Sequence, residues 1–69
     1  MNHGMTITES EQMEWSRCAN AMYARGVNWA GHRLSALASL PRGSMIPTTI
    51  YDDAARLYRR WLIDNEFPA

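Results

Sequence analysis

The sequence predicts an all-α fold, a small bundle of three helices. Apolar residues recur at spacings of three and four along three segments, and glycine or proline residues separate these segments. With 69 residues, of which 46% are hydrophobic, the chain forms one domain at most and is too short for the two-layer α/β enzyme folds. Most enzyme classes are therefore excluded. No strand is expected, and the helices are predicted at residues 9–25, 29–40 and 50–65.

The first helix has a start signal and a stop signal in the sequence. Thr8 and Glu11 fit the capping box, in which each side chain accepts a hydrogen bond from the backbone N–H of the other. The apolar face that follows contains Cys18, and Gly26 is expected to end the helix because glycine readily adopts the left-handed conformation there. Residues 1–7 precede the cap and are expected to be flexible.

The second helix is short and carries an arginine on its apolar face. Asn28 is expected to cap its N-terminus, and Pro41 ends it because the residue before a proline avoids the α region. Since a buried guanidinium must be paired, we expect Arg33 to meet a carboxylate from another helix or from a second subunit. A stripe of small residues permits close approach by another helix, and its members are Gly31, Ser35 and Ser39.

The third helix follows a loop at residues 41–47 and has an apolar face too wide for one neighbour. Thr48 and Thr49 set up its N-cap. Residues 48–51 could instead form a brief strand, but the cap and the helical period favour a helix. Two parallel apolar rows widen the face well beyond the roughly 100° of an ordinary amphipathic helix. We therefore expect dimerisation to complete the core, through Trp29, Arg33, Leu37, Tyr51, Tyr58 and Leu62.

No group of residues in the sequence indicates a catalytic chemistry. Cys18 is the single cysteine, and its place on the apolar face favours a buried structural role over a nucleophile activated by His32. Asp52 and Asp53 are adjacent on a helix and point about 100° apart, so they are better explained as complements of the helix dipole than as an acid–base pair. We expect no catalytic residues, no cofactor and no bound metal.

The charge balance and the hydropathy limit the possible partners. Seven arginines and no lysine balance seven acidic residues, and binding to a phosphate backbone needs an excess of positive charge, so nucleic acid is disfavoured. No apolar run approaches the roughly 20 residues of a membrane span. The start of the chain has no signal-peptide pattern, and the one cysteine is unpaired, so a cytoplasmic protein is expected.

Apolar residues outside the expected core indicate a protein-binding surface. Ile63 falls among arginines on the polar side of the third helix, and Met45 and Ile46 lie in the preceding loop. Arginine interleaved with exposed apolar residues suits a protein partner with acidic side chains. The alternative is a solvated charged face with one stray isoleucine. The predicted partner-binding residues are Met45, Ile46, Arg56, Arg59, Arg60 and Ile63.

A small helix-turn-helix-like DNA-binding regulator is the alternative function. Gly26 and Val27 stand between two predicted helices, where that motif places its turn. Two positions depart from the motif. Met22 stands where a small side chain is needed at the helix crossing, and His32 stands where an apolar core residue is needed.

The whole profile resembles the small early proteins with which bacteriophages disable host systems. A compact helical chain rich in arginine and tryptophan is similar in size and character to phage anti-quorum-sensing proteins that bind a host transcription activator, and to some anti-CRISPR proteins. No residue role is carried over from these families. The resemblance implies a homodimeric inhibitor or modulator, phage- or prophage-encoded, that sterically occupies the functional surface of a host protein without performing chemistry.

Overall fold

The computed structural model of the chain describes residues 4–65 and confirms the three predicted helices. It adds two short strands, which the sequence analysis did not expect. None of the helices in this part of the chain is long and apolar enough to cross a membrane. The elements in chain order are β1 (Gly4–Thr6), α1 (Glu9–Ala24), α2 (Asn28–Ala38), β2 (Met45–Pro47) and α3 (Thr48–Asp64).

The N-terminus of α1 is held by the predicted capping box. The Thr8 hydroxyl accepts a hydrogen bond of 3.1 Å from the backbone N–H of Glu11, and the Glu11 carboxylate accepts one of 2.9 Å from the backbone N–H of Thr8. Two backbone donors that the helix leaves without partners are thus satisfied by side chains three residues apart. The Thr8 hydroxyl also donates to the Glu11 carboxylate.

Helix α1 is terminated by a turn at Gly26, as predicted. Gly26 has a φ of 79°, and its N–H donates to the carbonyl of Tyr23 while the N–H of Val27 donates to the carbonyl of Met22. These two bonds form the Schellman motif, which needs a left-handed residue at this position. The same turn starts α2, with Val27 as its N-cap. The predicted cap at Asn28 is wrong, because this residue is already helical and no side chain caps α2.

Gly31 lets α2 pack closely against α1, as the stripe of small residues predicted. A Cβ atom at Gly31 would lie 2.9 Å from Cε1 of Tyr23 and 3.2 Å from the backbone oxygen of Ala19. Any larger side chain would push the two helices apart. Of the other two members of the stripe, Ser35 is half-buried and Ser39 is exposed.

The two strands form a small antiparallel sheet that ties the start of the chain to the segment before α3. Met5 pairs with Ile46, and the N–H of Ile7 donates to the carbonyl of Ser44 at 3.1 Å. The last part of the predicted loop at 41–47 is therefore a strand. Residues 4–7, expected to be flexible, belong to the sheet or to the core, and residues 1–3 lie outside the described part of the chain.

The core draws on every helix and on the sheet. Ile46 is only 6% exposed. It therefore cannot serve in the predicted partner-binding surface, because its place in β2 puts it in the core. The buried apolar residues are Ile7, Trp15, Cys18, Ala19, Met22, Ala30, Leu34, Ile46, Ala54 and Trp61.

Helix α3 begins two residues earlier than predicted. Thr48 and Thr49 are its first residues, Pro47 is its N-cap, and no side chain caps it. The strand alternative for residues 48–51 is therefore wrong. Asp52 and Asp53 lie in the second turn, where the interaction of a carboxylate with the helix dipole is weaker than at the first turn.

Candidate protein-binding surfaces

Helix α3 presents three different sides, and the predicted site residues are divided among them. One side packs against α1 through Tyr51 and Tyr58, and a second side, with Ile50 and Leu57, faces α2. The third side faces solvent. This division follows from the helical period of 3.6 residues, which turns each set of residues towards a different neighbour.

The side facing α1 is closed by two tyrosine–glutamate hydrogen bonds. The Tyr51 hydroxyl donates to the Glu11 carboxylate, and the Tyr58 hydroxyl donates to the Glu14 carboxylate at 3.1 Å. The ring of Tyr51 also packs against that of Trp15, with centroids 5.8 Å apart. Both half-buried tyrosines were predicted at a dimer interface, but in the structure their hydroxyls bind α1 of the same chain.

These contacts shift the pKa values of Glu11, Tyr51 and Tyr58. Burial alone would raise the pKa of Glu11, but the hydrogen bonds from the Thr8 N–H, the Tyr51 hydroxyl and the Thr8 hydroxyl outweigh it and lower that pKa. The hydrogen bond to Glu11 is the main cause that raises the pKa of Tyr51. Burial, followed by the hydrogen bond to Glu14, raises the pKa of Tyr58. The Glu11 carboxylate is thus held ionised, and the phenols of Tyr51 and Tyr58 are held neutral.

The side facing α2 is an open groove, which we call the α2–α3 groove. One part has a volume of about 310 Å³ and continues into a second recess of about 340 Å³. Trp29 at 66% and Ile50 at 44% are exposed large apolar side chains along it. The lining residues are Trp29, Arg33, Ala36, Leu37, Ile50, Asp53, Ala54, Arg56, Leu57 and Arg60.

Arg33 and Asp53 are the two charged residues that line both parts of this groove. They stand on opposite walls, one on α2 and one on α3. The ion pairs among residues 4–65 join Arg42 to Glu9 and Arg60 to Asp64, so neither Arg33 nor Asp53 has a partner there. The expectation that Arg33 is buried is wrong, because its side of α2 is left uncovered and the residue is exposed.

The solvent side of α3 carries the residues that we call the arginine face: Arg56, Arg59, Arg60 and Ile63. Their spacing places them within roughly 100° of one another around the helix, and all four are exposed, Ile63 by 68%. Arg60 pairs with Asp64 at 3.1 Å. Arg56 and Arg59 form no ion pair with any residue in the described part of the chain.

The remaining predicted site residues lie away from the arginine face. Met45 is exposed but precedes α3, and fifteen helical residues place it roughly 22 Å from Ile63 along the helix axis. Leu37 is half-buried in the α2–α3 groove, and Leu62 is half-buried against the core. The structure therefore brings together four of the six residues predicted to bind a partner.

In the described part of the chain, Cys18 and His32 lie in different surroundings. Cys18 is 3% exposed, and burial raises the pKa of its thiol to about 11, so it is a structural thiol as predicted. His32 is exposed on α2, where its Nδ1 lies 2.9 Å from the Tyr23 hydroxyl. Among residues 4–65, no three His, Cys, Asp or Glu side chains are grouped so as to hold a metal ion.

Sequence reasoning missed the roles of four residues in these surfaces. Ile50 belongs to the apolar face predicted for the third helix but received no role of its own, and Asp53 was assigned to the helix dipole, whereas both line the α2–α3 groove. Glu11 was recognised as a cap and Tyr51 as an interface residue, but not as partners of each other. Two spacings in the sequence fit such a pairing. Glu11 and Glu14 are three positions apart and share one side of α1, and Tyr51 and Tyr58 are seven positions apart and share one side of α3.

Comparisons of the chain with protein-family models, with curated proteins and with solved structures found no match.

Proposed function

We propose that the protein is a non-enzymatic inhibitor or modulator that uses its arginine face to occupy a functional surface of another protein. The observation that supports this proposal is the exposure of Ile63 among Arg56, Arg59 and Arg60 on one rigid helix. A single exposed apolar side chain is ordinary on a protein surface. Here it is combined with arginine, a residue type enriched at the centres of protein interfaces and among binding hot spots.

The charges of the arginine face define the chemistry of the partner. Within residues 4–65, Arg56 and Arg59 form no ion pair, and Arg60 holds Asp64 in an exposed pair of the kind that contributes little free energy. Each guanidinium can bind a carboxylate through two parallel hydrogen bonds. A partner with acidic side chains around an apolar pocket for Ile63 is therefore the complement of this face.

The proposed mechanism is steric. Helix α3 has 17 residues and spans roughly 25 Å, and its inner side is fixed by Trp61 and Ala54 in the core. It can therefore cover a partner's surface without rearranging. On the resemblance to small phage proteins, the proposed partner is a cytoplasmic host protein such as a transcription regulator or a component of a defence complex.

DNA binding through α2 is the second candidate function. The observation that favours it is the three-residue turn at Gly26, followed by a helix whose exposed side carries Asn28, His32 and Arg33. The exposure of His32 argues against DNA binding, because a helix-turn-helix needs an apolar core residue at that position. A DNA regulator would bind a random-sequence duplex with an affinity that falls steeply with salt, whereas the proposed inhibitor would ignore the duplex.

Affinity capture with matched variants tests the proposed function. Wild type, Ile63→Glu and the control Met13→Glu are immobilised and exposed to lysate of the source cells, and the retained protein is then purified for calorimetry. Met13 is also an exposed apolar residue, 55% accessible, but lies on α1. We expect wild type and control to bind with equal affinity, and Ile63→Glu to bind at least about tenfold more weakly. Equal affinity of all three, or no specifically retained protein, would contradict the proposal.

A further inference from the structure

We propose that the α2–α3 groove is the contact surface of a symmetric homodimer, in which Arg33 of each copy binds Asp53 of the other. The proposal does not rest on the partner proposed above, because Ile63 and Arg59 do not line the groove, although Arg56 and Arg60 of the arginine face line its second part. Its occupant is a second copy of this chain. The groove supplies two kinds of observation that bear on this choice: its apolar lining and its charged residues.

The groove has the composition of an incomplete helix–helix interface. Its apolar lining includes the buried Ala54, the half-buried Leu37 and Leu57, and the exposed Ala36. Trp29 and Ile50 leave much of their surface in water although both belong to apolar rows of their helices. Small domains bury too little surface to leave large side chains exposed without loss of stability. A second pair of helices laid across the groove would cover both residues.

Four charged residues line the groove, and the two of them that line both of its parts, Arg33 and Asp53, are opposite in charge. Arg33 on the α2 wall and Asp53 on the α3 wall have no ion-pair partner in the described chain. A two-fold axis that runs along the groove lays α2 of one copy over α3 of the other, and Arg33 then faces Asp53 of the partner copy. The symmetry creates this pair twice, as required of an interface in which the same patch is used by both subunits.

This self-complementarity favours a second copy over an unrelated segment. A foreign helix would have to carry an acid and a base at matching positions, whereas a second copy of the chain carries both already.

Charge reversal with mixing tests the proposal and separates contacts between copies from contacts within one copy. The variants Arg33→Asp and Asp53→Arg each place like charges opposite each other in the homodimer. We expect each alone to raise the dissociation constant of the dimer at least about tenfold. When the two are mixed, each copy meets the opposite charge in the other: one native Arg33–Asp53 pair remains, and the second pair has its sign reversed. A heterodimer is therefore expected to form with nearly wild-type affinity. Native mass spectrometry distinguishes it from the homodimers by mass.

The control pair carries the same change in net charge away from the groove. Arg17→Asp on α1 and Asp52→Arg on α3 alter exposed residues that have no ion pair within residues 4–65. Each control is expected to form a homodimer like wild type, and their mixture is expected to show no preference for the heterodimer. Circular dichroism verifies that all four variants fold.

Three outcomes would overturn the proposal. If the wild-type chain stays monomeric from micromolar to near-millimolar concentration, a second copy does not occupy the groove. A dimer that both charge reversals leave intact would place the contact elsewhere. Two monomeric variants whose mixture forms no heterodimer would show that Arg33 and Asp53 do not meet across copies.

Discussion

Cys18 lies among the core residues of α1 and, within residues 4–65, is the buried side chain whose ionisation falls in an accessible pH range. Burial raises the pKa of its thiol from the ordinary value of 9.0 to about 11. The unfolded chain therefore ionises at lower pH than the folded chain. The stabilisation linked to the neutral thiol is complete below pH 9 and is lost as the pH rises through about 11. Its place on the apolar face made this burial predictable from the sequence.

Urea unfolding from about pH 8, below the window set by Cys18, to about pH 11.5, just above it, tests this linkage. We expect the free energy of unfolding of wild type to fall over that window, and that of Cys18→Ala to fall less steeply. Tyr51 and Tyr58, whose pKa values are also raised, ionise in both proteins. The contribution of Tyr51 cancels in the comparison, whereas the charge of Cys18 is one cause of the raised pKa of Tyr58, so this coupling is part of the expected difference. Parallel curves for the two proteins would show that the thiol is not buried from water.

At the scale of elements, Glu11 joins the start of α1 to α3. Its carboxylate caps α1 through Thr8 and accepts the Tyr51 hydroxyl, which holds its pKa below the ordinary value against the effect of burial. The stabilisation that Glu11 provides is therefore present above pH 4.5 and is lost as the pH falls through the lower folded pKa. A contact between two helices thus depends on one ionised side chain.

A double-mutant cycle of Glu11→Gln and Tyr51→Phe measures this link between helices. At neutral pH we expect a coupling of about 0.5 to 3 kcal/mol in the free energy of unfolding, because Tyr51 donates to an ionised acceptor. The coupling is expected to shrink in acid, where Glu11 is protonated. The matched cycle of Glu14→Gln and Tyr58→Phe, whose hydrogen bond is exposed, should give a smaller value. A coupling energy of zero between Glu11 and Tyr51 would contradict the proposed link between α1 and α3.

The elements differ in how far the sequence alone predicts them. The capping box and the turn at Gly26 are local signals, so both ends of α1 were predicted correctly. The strands were missed because each has three residues, too few for an alternating pattern, and their partners lie some forty positions apart. The same distance hid the burial of Ile46. Asn28 was misassigned because the turn after α1 already positions the backbone for α2.

At the scale of the whole molecule, the structure shows where the predicted excess of apolar surface lies. The wide face of α3 is covered by α1 on one side through Tyr51 and Tyr58, and only the other side remains open at the α2–α3 groove. The sequence could show that one neighbour is not enough for α3. It could not show which side stays uncovered, because that depends on the packing of α2 against α1 at Gly31.

The proposed homodimer would bury Trp29, and the fluorescence of this residue can therefore report on dimer formation. Trp15 and Trp61 are already buried in the single chain, whereas Trp29 is exposed beside the groove. The emission of the wild type is therefore expected to shift to the blue as concentration rises and the dimer forms. The shift should be absent in Trp29→Phe, which keeps an aromatic ring in the groove and serves as the control.

The molar mass of the wild-type chain in solution, measured by sedimentation over a wide range of concentrations, tests most directly whether a second copy completes this fold. At high concentration we expect about twice the 7.9 kDa of the single chain, falling towards 7.9 kDa on dilution. A mass of 7.9 kDa at every concentration, together with a free energy of unfolding that does not depend on concentration, would contradict it.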